Sequence, residues 1–446
     1  MFCASSTAIF SPSLRMRFRR NKQTNESSTP GAARRAHSWA ANIGPGLVTV
    51  ASDNDPSGIA TYTLAGAWYG FDQLWVCVLS YPSTVALQLI AARVAAITGC
   101  GLTTNMREHY APLFFYFAVG RFLISNTFNI AVDVLAMGVA LQLLGGGSIA
   151  WLTLASGGAS LILQWSISYE RYAQVLKWLT LAMFGYVGVV LLVGVPWQTV
   201  ALRAFVPRVQ WNEGYVTMLI AVLGTTVSPY LMFAQAEQEA KDVSGQKGTR
   251  LEALNRKMSV VCGEVLLRTG LSNAVSLCVM IAAAATLHVI QHTPVDQVVQ
   301  IDRVLEPLAK GYARHVLAFA LLGSALLALP PLAGSAAQAV ASSLHWERGE
   351  RRDQRIAWLL VTIMLLGIVA AWLLATWRVE PVRALYWSAV VNGMTVTPVL
   401  VLLVLLSSKR EAVGDLAAHW VLRALSWLAT IATAAVLVAH FVLAFV

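Results

Sequence analysis

The sequence predicts an all-α integral membrane protein with about eleven transmembrane helices. Three observations carry that reading. Of 446 residues, 57% are hydrophobic and only 12% charged, with mean hydropathy +0.62; a soluble domain carries about 25% charged residues. Apolar stretches long enough to cross a bilayer, about 20 residues each, begin after residue 43 and recur to the end of the chain. Lys and Arg collect on alternate loops, as in chains that weave through a membrane. Together these set aside a soluble enzyme, a disordered chain and a nucleic-acid binder. The net charge of +10 would suggest a polyanionic partner in a soluble protein; here topology accounts for it.

Residues 1–43 read as a disordered basic cytoplasmic arm. Arg15, Arg17, Arg19, Arg20, Lys22, Arg34 and Arg35 stand there with one acid, Glu26. The arm lacks the apolar segment and small-residue cleavage site of a signal peptide, while its Arg/Ser bias leaves a transit peptide open. The spans fall near 44–69, 73–98, 112–144, 148–168, 172–196, 214–237, 259–289, 312–342, 356–377, 382–407 and 417–445. They form one membrane domain, 44–446. A first five-helix half occupies about 44–196, a second about 214–407, and an extra helix follows at 417–445.

With the N-terminus inside and the C-terminus outside, the inner side collects the arm, Arg107, Arg171, Lys177, the 238–257 loop, Arg348 to Arg355, Lys409 and Arg410. The outer side keeps Arg203, Arg208, Arg303, Lys310, Arg314, Arg378 and Arg383. The inner count is about three times the outer, as the positive-inside rule requires. The expected location is a bacterial-type inner or plasma membrane. The five cysteines are scattered and form no disulfide or CxxC framework; they read as small apolar filler.

The first span is interrupted at its centre by Ser52-Asp53-Asn54-Asp55-Pro56-Ser57-Gly58. Proline removes a helix donor and clashes with the preceding turn, and Gly58 permits further unwinding. Asp55 falls near the bilayer midplane, where an ionised carboxylate is costly unless paired or solvated. Such a break frees carbonyls and presents a charge, which makes it a candidate cation site; the blander alternative is a proline kink with Asp55 paired to a basic neighbour. The sixth span carries a second interruption, Gly224-Thr225-Thr226-Val227-Ser228-Pro229-Tyr230. Paired Pro/Gly breaks at corresponding positions of two halves point to a transporter built on inverted repeats, with its substrate between the breaks.

Gly44-Pro45-Gly46, Asp55-Pro56-Ser57-Gly58 and Ala65-Gly66-Ala67-Trp68-Tyr69-Gly70 resemble the first helix of the Nramp family of divalent-metal transporters. The family pattern there is Asp-Pro-Gly-Asn, and in the sixth helix Met-Pro-His, where this chain has Ser228-Pro229-Tyr230. The resemblance implies a LeuT-type inverted repeat, helices 1–5 and 6–10, with an extra helix. It also implies a metal site at Asp55, with carbonyl ligands at Ser52 and Thr225. Gly58 and Ser228 then occupy the positions of the family's asparagine and methionine. Losing the thioether leaves hard oxygen ligands, and losing both side chains widens the site. A wide oxygen site suits Mg²⁺, which keeps several waters. The pattern is similar to the Nramp-related magnesium transporter branch, so Mg²⁺ is the expected substrate and Mn²⁺ a second one.

Tyr230 stands in for the family's histidine and does not titrate near neutrality. In helix three, Asp133 aligns with a family Glu, while Asn129 or Ile130 aligns with a family Asp. Weak or absent proton coupling is therefore expected. A proton-coupled Mn²⁺/Fe²⁺ importer is the alternative, and a LeuT-type transporter of a small organic substrate a second one. The only small-molecule partner expected is the transported metal, beside the lipid bilayer; no cofactor is implied. No GxxxxGK[ST] motif supports ATP-driven pumping, and no nucleophile–base arrangement supports an enzyme.

Several polar residues have two readings. Asp53 either attracts cations in an outer vestibule or serves as a helix cap. Asp133 is a relay or pairs with Arg121. Glu264 and Arg268, at i and i+4, read as an ion pair. Asn392, Thr395 and Thr397 line the pathway or bond between helices. Gln235, Glu237 and Glu239 form a hydrophilic exit or mark the membrane boundary. Pro330-Pro331 is expected to break the eighth helix.

Overall fold

The computed structural model describes residues 53–167, 181–243, 250–288, 301–346, 350–413 and 418–445, together with Leu176 and Leu179. Among them, eight helices are long and apolar enough to cross a membrane, or nine if one bent pair is a single span. The chain runs through α1 (Pro56–Tyr69), α2 (Leu74–Thr98), a short α3 (Leu102–His109), α4 (Pro112–Gly145) and α5 (Ile149–Ser166). Then come α6 (Gly185–Leu192), α7 (Trp197–Phe205), α8 (Glu213–Thr226) and α9 (Pro229–Val243). It ends with α10 (Arg250–Ala283), α11 (Ala313–Ser343), α12 (Glu350–Thr376), α13 (Pro381–Ser408) and α14 (Trp420–Phe445). With α5 and the half-span α1, the membrane helices match the eleven predicted segments.

One expectation changes, at the eighth helix. The described part of the fifth span, Leu181–Leu192, lies within the expected 172–196, and the chain then bends by 119° into α7. A Pro196 N-cap restarts the chain there, and a proline cannot continue the preceding helix. The eighth helix is not broken at Pro330-Pro331; α11 continues through both. Intramembrane helices tolerate proline where packed neighbours meet the freed backbone groups, and α11 is packed against α4 and α12.

Packing sorts the helices into two modules. α4, α11 and α12 contact one another, α5 packs on α4 and α12, and the four form a scaffold. Asn126 on α4 stitches it by donating to the Leu332 carbonyl at 3.1 Å and to Ser335 Oγ at 3.2 Å. α1, α2, α8, α9 and α10 form a second bundle. α13 lies between the modules, touching α8 and α1 on one side and α4 on the other. Gly224 and Gly393 allow the α8–α13 crossing: a Cβ at Gly224 would strike the Ala389 carbonyl and the Gly393 backbone. Lipid supplies no hydrophobic drive between helices, so such close small-residue contact is what holds them.

Candidate metal site

The first break is built by its own residues. Pro56 occupies the first turn of α1 and Asp55 is its N-cap, with φ −64° and ψ 171°. Asp55 Oδ1 accepts the Gly58 amide at 2.8 Å and the Ser57 hydroxyl at 2.7 Å. The positive end of the helix dipole favours the carboxylate there. Asn54 is fixed from α10: its amide donates to Ser272 Oγ at 2.8 Å, and Ser276 donates to its Oδ1 at 2.8 Å. Both bonds join the unwound stretch to the bundle rather than to the scaffold.

The second break ends α8 at Thr226 and restarts at Pro229. Proline disfavours a helical residue before it, and Ser228 falls outside both helices. The last carbonyls of a helix lack intrahelical partners, and two of them are met by side chains. The Ser228 hydroxyl donates to the Thr225 carbonyl at 2.8 Å. Asn392 donates to the Gly224 carbonyl at 2.7 Å, and Ser125 donates to Asn392 Oδ1 at 3.2 Å. Asn392 thus ties the α8 end to the scaffold helix α4. A carbonyl has two lone pairs, so each capped carbonyl retains acceptor capacity.

Gly58 shows that the two breaks face each other. A Cβ built there would lie 3.5 Å from Asp55 Oδ1 and 4.0 Å from the Thr225 Cβ. One turn on, the Tyr62 hydroxyl lies 3.2 Å from Thr226 Oγ1. Asp55, Gly58, Thr225 and Ser228 are therefore brought together, with the first three in direct register. Ser52 lies outside the described residues.

Asp133 is fully buried on α4 and neither of its carboxylate oxygens has a hydrogen-bond partner. Its charge and that of Asp55 act on one another across the module boundary. Pairing with Arg121, one of the two readings of Asp133, does not form: that guanidinium lies over the Phe117 ring, 5.8 Å from its centroid. Asn129 accepts a hydrogen bond from Ser388 and its Nδ2 is without a partner. Tyr230 is buried, within electrostatic reach of Arg268. Arg268 donates to Gln88 Oε1 at 2.7 Å and is not bridged to Glu264, whose side chain is exposed.

Asp53 is partly exposed and lines a small cavity with Ser272, Asn273 and Ser276 of α10, within electrostatic reach of Arg268. Gln235 donates to Glu239 Oε1 at 3.3 Å, and both are buried; only Glu237 of the expected exit is partly exposed. Thr395 bonds its own helix at the Val391 carbonyl, 2.8 Å. Sequence reasoning missed Asn54, Tyr62, Gln88 and the Ser272/Ser276 pair. A Ser-x-x-x-Ser spacing on one helical face was the available signal.

The donor set is one carboxylate, hydroxyls and backbone carbonyls. Among the described residues, no three or more His, Cys, Asp or Glu side chains gather as a metal cluster.

Known proteins share the fold and the family of this chain. A relative from Klebsiella pneumoniae (strain 342), a "Divalent metal cation transporter MntH", is 26% identical over 411 residues, 90% of this chain and 93% of its own. A protein of the same name from Deinococcus radiodurans is 24% identical over 401 residues, 86% of each chain. The fold matches a crystal structure of the Eremococcus coleocola manganese transporter with TM-score 0.71 at 16% identity, covering 92% of this chain and 87% of that one. MhsT in complex with L-phenylalanine matches with TM-score 0.58 at 15% identity, covering 89% of this chain and 98% of the other. These matches show a LeuT-type fold of inverted repeats. The model of the family described as "Natural resistance-associated macrophage protein-like" matches residues 46–443, and the chain belongs to that Nramp family.

Proposed function

We propose that this chain is a divalent-cation transporter that moves Mg²⁺, and secondarily Mn²⁺, into the cytoplasm with weak or no proton coupling. The curated relatives' description as divalent metal cation transporters supports the general reading. The observation that carries the finer one is the missing side chain at Gly58, where an added Cβ would already touch Asp55 Oδ1 at 3.5 Å, Tyr62 Cε2 at 3.6 Å and Thr225 Cβ at 4.0 Å, while Ser228 supplies a hydroxyl where the family resemblance implies a thioether. Oxygen ligands favour hard cations, and room for retained water favours Mg²⁺.

In alternating access the bundle rocks against the scaffold and opens the site to each side in turn. Asp55 rides on the bundle, while Asn392 and Asp133 stand on the opposite side of the boundary. Releasing the ion requires the Asn392 bond to Gly224 to break or to travel with α8. A membrane potential supplies about 2.3 kcal/mol per charge per 100 mV, about twice that for a divalent ion, which drives uptake without a proton. The proposed topology keeps the N-terminus in the cytoplasm and the C-terminus outside.

One observation favours the proton-coupled Mn²⁺/Fe²⁺ reading. A fully buried carboxylate with two unpartnered oxygens, Asp133, is a group that would hold a proton. The deciding experiment is uptake into proteoliposomes at fixed potential, with Mg²⁺ and Mn²⁺ side by side and an internal pH dye. Mg²⁺ entry without acidification is expected. Mn²⁺ entry with acidification, no Mg²⁺ entry, and loss of acidification in Asp133→Asn would replace the proposal with the coupled reading.

A further inference from the structure

Positive charge gathers at the end of α11, far from the two breaks along the chain. Two arginines from different elements converge on Ser342 there. Arg107 of α3 donates to the Ser342 carbonyl, and Arg352 of α12 donates to Ser342 Oγ at 3.4 Å. Ser342 is buried, and both arginines are partly buried. One turn along α12, the Arg355 guanidinium lies over the Trp346 ring, 5.3 Å from its centroid.

Capping α11 accounts for only part of this charge. The carbonyl end of a helix amounts to about half a negative charge, against two guanidiniums. The carboxylate of Glu108 stands 4.0 Å from Arg107 and is half exposed, where such a pair contributes little. Asp353 is exposed, and among the described residues no carboxylate forms an ion pair with Arg352 or Arg355. The Nε–H of Arg352 is buried and has no hydrogen-bond partner. A buried charged donor is ordinarily met by something bound. Guanidinium forks match the oxygens of a phosphate.

Depth in the bilayer identifies the source of that phosphate. Trp358 on α12 is 64% exposed, and its ring lies 6.2 Å from that of Trp165 on α5. Exposed tryptophans of this kind mark the membrane–water interface. Arg352 precedes Trp358 by six positions, about 9 Å farther out along the helix at 1.5 Å per residue, which is the level of lipid headgroups. Leu344, exposed just past the end of α11, offers apolar surface to an acyl chain.

We propose that Arg107, Arg352 and Arg355 seat the phosphate of an anionic phospholipid. Basic pockets between transmembrane helices bind such headgroups. The lipid bridges α3 to α12. Because α3 joins α2 of the bundle to α4 of the scaffold, a headgroup held there fastens the connection between the modules to the scaffold. The inference stands apart from the identity of the transported metal.

The test is lipid binding to the delipidated full chain in detergent, read by native mass spectrometry and by Tm. Phosphatidylglycerol, phosphatidylcholine with the same acyl chains, and inorganic phosphate are titrated at one ionic strength. Saturable binding of phosphatidylglycerol with a rise in Tm is expected, and phosphatidylcholine should need at least tenfold more lipid. Arg107→Gln and Arg352→Gln should each weaken phosphatidylglycerol binding about tenfold. Arg351→Gln removes the same charge from an exposed neighbour on α12 and should change binding little. Equal responses to the two lipids, or an equal loss in Arg351→Gln, would overturn the proposal and leave diffuse attraction to a basic face. A full Tm response to inorganic phosphate alone would overturn the lipid and leave a soluble-phosphate site. Should a glutamine variant fail to accumulate, Arg352→Lys takes its place. It keeps the charge and loses the fork, so it should bind more weakly than the parent, and equal binding would overturn the seat. A phosphatidylglycerol response in a chain that moves no divalent ion would keep this inference and end the transport reading.

Discussion

The two breaks look alike in sequence and differ in what they contribute. Each restarts a helix at an X-Pro step, Asp55-Pro56 and Ser228-Pro229. At the first, the carboxylate is held by its own helix, through Gly58 and Ser57. At the second, the exposed carbonyls are held by other residues, Ser228 across the break and Asn392 from α13. The first break thus owns the charge and carries it with the bundle. The second offers dipoles whose availability depends on its neighbours. A substitution at the first should change whether an ion binds, and one at the second should change which ion binds and how readily it leaves.

The largest expected effect tests the first half of that contrast. Asp55→Ala removes the carboxylate that caps α1 and faces Thr225 across the breaks. Losing one member of a buried charge pair costs about 3–5 kcal/mol, or a hundredfold or more in affinity at about 1.4 kcal/mol per factor of ten. Uptake of Mg²⁺ and Mn²⁺ should fall together to the level of empty liposomes. Transport equal to the parent would remove Asp55 from the site altogether.

Asn392→Ala tests the second half. It leaves the Gly224 carbonyl without its side-chain donor and Ser125 without its acceptor. An unsatisfied buried group costs about 1–3 kcal/mol. Divalent affinity should change little, because the released carbonyl can still bind a cation, while the transport rate falls about tenfold. Initial uptake rates across metal concentration separate the two. A weaker apparent affinity at unchanged maximal rate would make Asn392 a ligand rather than a tether.

How much of this was legible in the sequence follows from the same contrast. Features carried by local chemistry were readable. Asp55, Pro56 and Gly58 announce a break whatever surrounds them, and the apolar periodicity of α2, α4, α10, α11 and α13 fixes their spans closely. Features that depend on register between distant helices were not. Asn54 gains its role only because Ser272 and Ser276 on α10 lie opposite it, more than two hundred positions away. Tyr62 looks like one more aromatic on an apolar helix until Thr226 is placed beside it. Arg121 and Asp133 share a helix, and a pairing rule for one helix favours spacings of three or four; theirs is wider, and the guanidinium goes to Phe117 instead. The proline pair in α11 misled because the local rule for a break is overridden where neighbouring helices support the backbone.

The smallest expected effect sharpens the division between charge and selectivity. Gly58→Asn adds a side chain where a Cβ meets only ordinary contacts, the nearest at 3.5 Å from Asp55 Oδ1, so the fold should accept it. Ser228→Met adds a soft sulfur ligand and removes the hydroxyl that caps Thr225. Together they reduce the room for retained water and soften the ligand set. The ratio of Mn²⁺ to Mg²⁺ uptake should rise by a few-fold to about tenfold, within the 1–2 kcal/mol that one weak ligand contributes. Cd²⁺, which prefers soft ligands, should begin to compete. Summed divalent capacity should remain, since Asp55 is untouched. A double variant with the parent ion ratio would mean that selectivity does not reside at these two positions. Loss of all uptake, with the thermal unfolding profile intact, would mean that the absence of a side chain at Gly58 is needed for the carboxylate itself to work, and the separation between the two breaks would fail.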